Sequence, residues 1–182
     1  SGAGNNFANG DITRLVESTS KAREESDAHD APLFVTEYGL DPKATNAMLW
    51  IETMEAEMDR AHASRYFWVY EELEQDRWGL YDEGKVLRED LASWLARPYP
   101  AAIDGELLSF SFDTTLTQFE VRFVGGGVQE IAVPERVFGS DIEILCDGAP
   151  VDLVRTQAFV TLSCGSSGDD ETHTIMAKTK AQ

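Results

Sequence analysis

The apolar residues change their spacing partway along the chain, and that change limits the possible fold more than any other feature. Up to Ala96 they recur at helical spacing, with two short runs between helices. From Leu107 they alternate with polar residues, as on half-buried strands. One regular layer cannot carry both periods. Arg97-Pro98-Tyr99-Pro100 marks the change, since each proline removes a backbone donor and stops a helix. The expected class is therefore α/β plus all-β, with domains at 1–97 and 98–182. A chain of 182 residues has room for one large or two small domains.

In the second half, Leu108, Phe110 and Phe112 form one alternating set and Phe119, Val121 and Phe123 another. Gly125-Gly126-Gly127 is a turn and not a phosphate loop, because neither a helix nor Lys-Ser/Thr follows it. Further short strands near 128–134, 141–146, 149–154, 158–164 and 172–178 predict an antiparallel sandwich of seven or eight strands. Residues 165–170 read as a hairpin loop. The two cysteines fall in core-facing phase, Cys146 with Ile142 and Ile144, Cys164 with Val160 and Leu162. Two free thiols and one disulfide fit equally well, and neither spacing nor a neighbouring His supports zinc. His29, His62 and His173 read as surface or helix-end residues.

In the first half, Ile12, Leu15, Val16, Thr19 and Ala22 form a narrow stripe on a helix from Asp11 to about His29, with Asp11 able to cap it. A second helix from about Ala47 to Ala61 carries Ala47, Trp50, Ile51, Met54, Met58 and Ala61 as core, and a closing helix spans 86–96. Between the first two lies Leu33-Phe34-Val35, a run that reads as buried on both faces, as in a parallel sheet covered by helices. It ends in Glu37, followed by Gly39 where the backbone turns away. A second strand is expected at 65–70, with Trp68 as a possible floor for a sugar ring. The loop 71–78 is rich in carboxylates and aromatics; Glu71 and Glu72 read either as sugar-hydroxyl partners or as a solvated acidic surface. A strand-end Glu can pair with an Arg or cap a helix, or it can be catalytic.

Charge narrows the function classes. Lys and Arg number 15 against 33 Asp and Glu, a net charge of −18. Nucleic-acid binding needs a basic face to displace counterions from phosphates, and none is visible. Anionic membranes are disfavoured in the same way, and no apolar run reaches the length of a transmembrane segment. The excess acid accounts for solubility.

Pro32-Leu33-Phe34-Val35-Thr36-Glu37-Tyr38-Gly39, the helix after it, Tyr66-Phe67-Trp68 and Trp78-Gly79-Leu80-Tyr81-Asp82 resemble the last two strands of a glycoside hydrolase family 5 barrel. The continuation through Arg97-Pro98-Tyr99-Pro100 into a β-rich tail is similar to the endoglycoceramidase-like branch, in which a β-sandwich follows the eighth helix. The resemblance covers most of the chain from about Ala31 onward. It implies the C-terminal quarter of a (β/α)8 TIM barrel, which takes about 250 residues when complete, followed by a C-terminal antiparallel β-sandwich. It also implies a retaining β-glycosidase acting on glycolipids or related β-glucosides. By that match Glu37 would be the nucleophile and Trp68 the platform under the sugar. Tyr38 and Glu72 are further candidate substrate contacts on the residues alone, Tyr38 being as readily a packing residue, and nothing in the sequence implies a cofactor or metal. The family's Asn-Glu-Pro acid/base motif occurs nowhere in the sequence. The remaining barrel strands and the acid/base are therefore expected on an upstream portion, where a secretion signal would also lie, and the piece alone is expected to be inactive. The alternative is a non-catalytic sandwich module touching carbohydrate or a lipid surface. An exposed aromatic row would favour it, but the sandwich aromatics stand in core-facing phase.

Overall fold

The computed structural model describes residues 10–71, 78–156 and 158–180. The chain divides into two compact units, Ser1–Leu95 and Ala96–Gln182.

The first unit runs α1 (Thr13–Ala28), β1 (Phe34–Tyr38), α2 (Ala47–Arg60), β2 (Ser64–Phe67) and α3 (Glu89–Leu95). Asp11 accepts the Thr13 amide at the start of α1. β1 and β2 are parallel neighbours joined through α2, a βαβ unit. Phe34 pairs with Ser64, Val35 with Arg65 and Tyr38 with Phe67, so β1 carries one extra residue between its second and third pairs. A bulge of this kind re-aims side chains. Val35 and Tyr38 both join the core under α2, while Phe34, Thr36 and Glu37 are exposed. The expected strand buried on both faces is thus buried on one. Leu40, Trp50, Ile51, Met58 and Leu91 fill the covered side, each such side chain contributing about 1.5–3 kcal/mol when fully buried.

Three boundaries differ from the periodicity. β2 stops at Phe67, which leaves Trp68 just beyond its end. The closing helix is trimmed to α3, since Val86 and Leu87 precede it outside the helix, Leu87 forming an isolated bridge with Tyr81. Ile12 is exposed and not part of the α1 stripe.

The second unit is a two-sheet antiparallel sandwich. Its strands are β3 (Tyr99–Ala102), β4 (Glu106–Asp113), β5 (Gln118–Val124), β6 (Gly127–Ala132), β7 (Ile142–Cys146), β8 (Ala149–Pro150), β9 (Leu153–Arg155), β10 (Phe159–Cys164) and β11 (Thr172–Thr179), with a short α4 (Glu135–Phe138) between β6 and β7. One sheet has the order β3-β6-β10-β9 and the other β4-β5-β11-β7-β8. Phe119, Val121, Phe123, Ile131, Val160, Leu162 and Ile175 form the core between them. Phe110 and Phe112 pack against it, as their phase predicts. Leu108 does not: a register shift between Leu107 and Ser109 turns Leu107 inward and leaves Leu108 exposed. The segment near 149–154, expected as one strand, is two. β8 pairs with β7 and β9 with β10, so the chain changes sheets just after Pro150.

Cys146 and Cys164 form a disulfide, with Cα atoms 5.6 Å apart. Cys164 is buried and Cys146 half-buried. His173 stands beside this bridge and is itself buried, contrary to its reading as a surface residue: ligating atoms of Cys146, Asp147, Cys164 and His173 all lie within 4.8 Å of one another. With the sulfurs bonded to each other, the cluster offers no thiolate to a metal.

Candidate active site

Glu37 is the last residue but one of β1, and Trp68 follows the end of β2. Because the strands are parallel, both stand at the same, carboxyl-terminal end, where open α/β sheets and barrels hold their ligands. Alternation sets their side. Tyr38 and Phe67 pack edge-to-face, ring centroids 5.5 Å apart, on the helix-covered side. Their neighbours Glu37 and Trp68 are exposed, Trp68 at 54%. Phe34 and Tyr66 are exposed as well and pack edge-to-face at 5.4 Å. The uncovered side of this pair therefore carries one carboxylate among three aromatic rings.

The backbone fixes the two strand ends to each other. Trp68 N–H donates to the Tyr38 carbonyl at 2.8 Å. A Cβ at Gly39 would lie 2.3 Å from the Trp68 carbonyl oxygen, so only glycine permits this approach. The Trp68–Val69 peptide is cis.

Behind Glu37, on the covered side, lies a charged network that the apolar stripe of α2 does not reveal. Tyr38 Oη donates to Glu55, and Arg65 donates to Glu55 and, at 2.6 Å, to Asp59. Glu55 and Asp59 are almost fully buried. Burial opposes the charge on Arg65, but the two carboxylates outweigh it and raise its pKa. A signal was present in the sequence: Glu55 and Asp59 are four apart on the stripe that contains Ile51 and Met58, and Arg65 opens the next strand. Buried acids on such a stripe call for a cation.

The expected site residues separate accordingly. Glu37 and Trp68 share the open side. Tyr38 belongs to the core and the network, its ring turned away from that side by the period of two. Glu72 lies outside the described residues. Glu71 is half-buried, with Lys85 3.6 Å from its carboxylate. Tyr70 is exposed and tilts against Tyr81 at 5.0 Å; repulsion from Tyr81 and a hydrogen bond to it raise the Tyr70 pKa. On the sandwich, the exposed large apolar residues include one aromatic among the described residues, Tyr99, so no aromatic row is presented there.

Residues 97–176 match the family model of the glycoside hydrolase family 5 C-terminal domain. Among solved structures, endo-glycoceramidase II from Rhodococcus sp., as its lactosyl-enzyme intermediate, superposes with a TM-score of 0.72 at 19% identity, over 90% of this chain and 37% of that one. Its ganglioside GM3 complex gives a TM-score of 0.71 at 18% identity, over 90% and 35%. Sterylglucosidase 1 from Cryptococcus neoformans gives 0.74 at 13% identity, over 92% and 33%. At these identities the likeness is one of fold, and the chain spans about a third of the structures it resembles. No curated protein matches it.

Proposed function

We propose, from the match of residues 97–176 to the glycoside hydrolase family 5 C-terminal domain, that the chain is the C-terminal part of a retaining β-glycosidase acting on lipid-linked sugars. In this reading β1, α2, β2 and α3 are the final quarter of a (β/α)8 barrel. The observation that carries it is the pairing of Glu37 with Trp68 at the carboxyl ends of two parallel strands, on their uncovered side.

The chemistry follows from those two groups. The Glu37 carboxylate attacks the anomeric carbon, the bond to the aglycone oxygen breaks, and a second carboxyl group outside this chain delivers a proton to that oxygen. Water, deprotonated by the same group, then displaces Glu37 and restores it. Trp68 stacks on the apolar face of the sugar, which suits a site that must hold an amphipathic substrate. The relatives named for glycoceramide and steryl glucoside support a lipid aglycone.

An activated 2-deoxy-2-fluoroglucoside tests the assignment on the natural protein that carries this chain, because fluorine slows release of the glycosyl-enzyme. The label is expected on the peptide containing Glu37; a label on any other carboxylate removes Glu37 from the role. A comparison of kcat/KM for a glucosylceramide, a steryl glucoside and a cello-oligosaccharide tests the substrate, and preference for the cello-oligosaccharide would overturn the lipid aglycone.

A further inference from the structure

His173 is the second residue of β11, paired with Phe123 on β5, and its ring lies 5.8 Å from the Phe123 ring. Each ring nitrogen meets a carboxylate. Nδ1 is 2.7 Å from Asp147 Oδ2, in the turn after β7, and Nε2 is 3.3 Å from both oxygens of Asp169, in the loop after β10. A neutral imidazole has one N–H and can donate to only one of these acceptors; an imidazolium donates to both. The carboxylates are themselves held by backbone amides: Asp147 Oδ1 accepts from Thr174 at 2.8 Å, and Asp169 accepts from Ser166 at 2.7 Å and from Glu171 at 3.3 Å. Gly165 makes room for the ring, since a Cβ there would sit 2.5 Å from Nε2.

We propose that His173 is a proton-operated latch: as the imidazolium it ties the Asp147 turn and the 165–170 loop to β11, and on losing its proton it releases the loop. Loop release follows because the neutral ring keeps one arm, and the Asp147 contact is the shorter. The latch lies beside the Cys146–Cys164 bridge, which links the same two strand ends covalently, so the pH-sensitive motion is confined to the loop while the sheets stay joined.

The titratable groups acting on the ring are Asp147 and Asp169, and from β5 it meets the uncharged Phe123. The hydrogen bond to Asp147 raises the His173 pKa above the ordinary 6.5, burial works against this, and the bond to Asp169 adds to it. A raised value means that stabilisation is fully present below 6.5 and is lost as pH rises through the folded-state value. Asp169 is lowered, first by the Ser166 amide, so its share is lost only on acidification through its own depressed value.

The test is a proton NMR titration of the 182-residue chain, with hydrogen exchange of the Ser166 and Glu171 amides followed in parallel. The His173 ring is expected to titrate above the free-histidine value and His62, lowered by burial and by Arg23, below it. Exchange at Ser166 and Glu171, corrected for intrinsic base catalysis, is expected to accelerate through the His173 midpoint, and the melting temperature to fall across it. His173→Gln should remove that dependence. Asp169→Asn, which retains the Asp147 arm and one acceptor oxygen for the loop amides but removes the charge, should lower the His173 midpoint. A His173 midpoint at or below the free value, an unchanged pH slope in His173→Gln, or an unchanged midpoint in Asp169→Asn would each overturn the latch; the wild-type titration and Asp169→Asn decide it even if His173→Gln does not fold.

Discussion

The two units treat their aromatic residues in opposite ways. In the sandwich Phe119 and Phe123 are fully buried and Phe110 and Phe112 lean on them, so that both sheets cover their inner faces. In the βαβ unit one side of the sheet is packed under α2 while Phe34, Tyr66 and Trp68 stand in the open beside Glu37. The contrast extends to charge. The βαβ unit buries Glu55 and Asp59 against Arg65 beneath its sheet, whereas the buried polar residues of the sandwich, among the described residues, are Gln129, whose side chain binds the Asp104 backbone, Arg97, which lies over the Phe112 ring, and His173, held between Asp147 and Asp169. Apolar burial stabilises without direction, while a buried ion network fixes particular atoms and is weak evidence for net stability.

The largest effect that could break this comparison is catalytic. In the natural protein Glu37→Gln is expected to lower kcat by about 10⁴-fold or more, near 5 kcal/mol in the barrier, while leaving thermal unfolding unchanged. Retention of a tenth of the rate would mean that the open face is not where the chemistry occurs. A large loss of stability would mean that Glu37 belongs with the buried network.

Next comes the network. Arg65→Ala removes the cation between two buried carboxylates and is expected to cost about 3–5 kcal/mol in denaturant unfolding, with tryptophan fluorescence as the probe, since all four tryptophans lie in the first unit. A cost below about 1 kcal/mol would place these ions among ordinary surface pairs and remove the contrast with the sandwich.

The sandwich has its own cross-link. Replacing Cys146 and Cys164 together by Ser opens a loop with a sequence separation of 18 and is expected to cost about 2–4 kcal/mol, read as a lower urea midpoint for the β-rich unit. The tryptophan fluorescence of the other unit should not move. A shift of both transitions together would show that the two units unfold as one.

The smallest effect sharpens the role of the open aromatics. Trp68→Ala is expected to reduce kcat/KM by about tenfold, ~1.4 kcal/mol, with little change in stability, because the exposed ring loses contact with sugar and not with core. If stability falls instead and the kinetics hold, Trp68 is a packing residue.

The sequence by itself determined the parts that depend on local periodicity and chain stiffness: a helix-and-strand half, a β-rich half, the glycine turn at 125–127 and the inward phase of Phe110, Phe112, Phe119 and Phe123. These are legible because side-chain direction repeats every 3.6 or 2 residues whatever the partner. Tertiary structure decided everything that needed a partner or a break in period. One added residue in β1 placed Val35 and Tyr38 on the same side, and a shift beside Leu107 exposed Leu108. The choice between free thiols and a disulfide, the clasp of Arg65 on Glu55 and Asp59, and the meeting of His173 with Asp147 and Asp169 were settled by contacts between residues distant along the chain or displaced by a turn. A linear pattern records which way a side chain faces but not what it meets there.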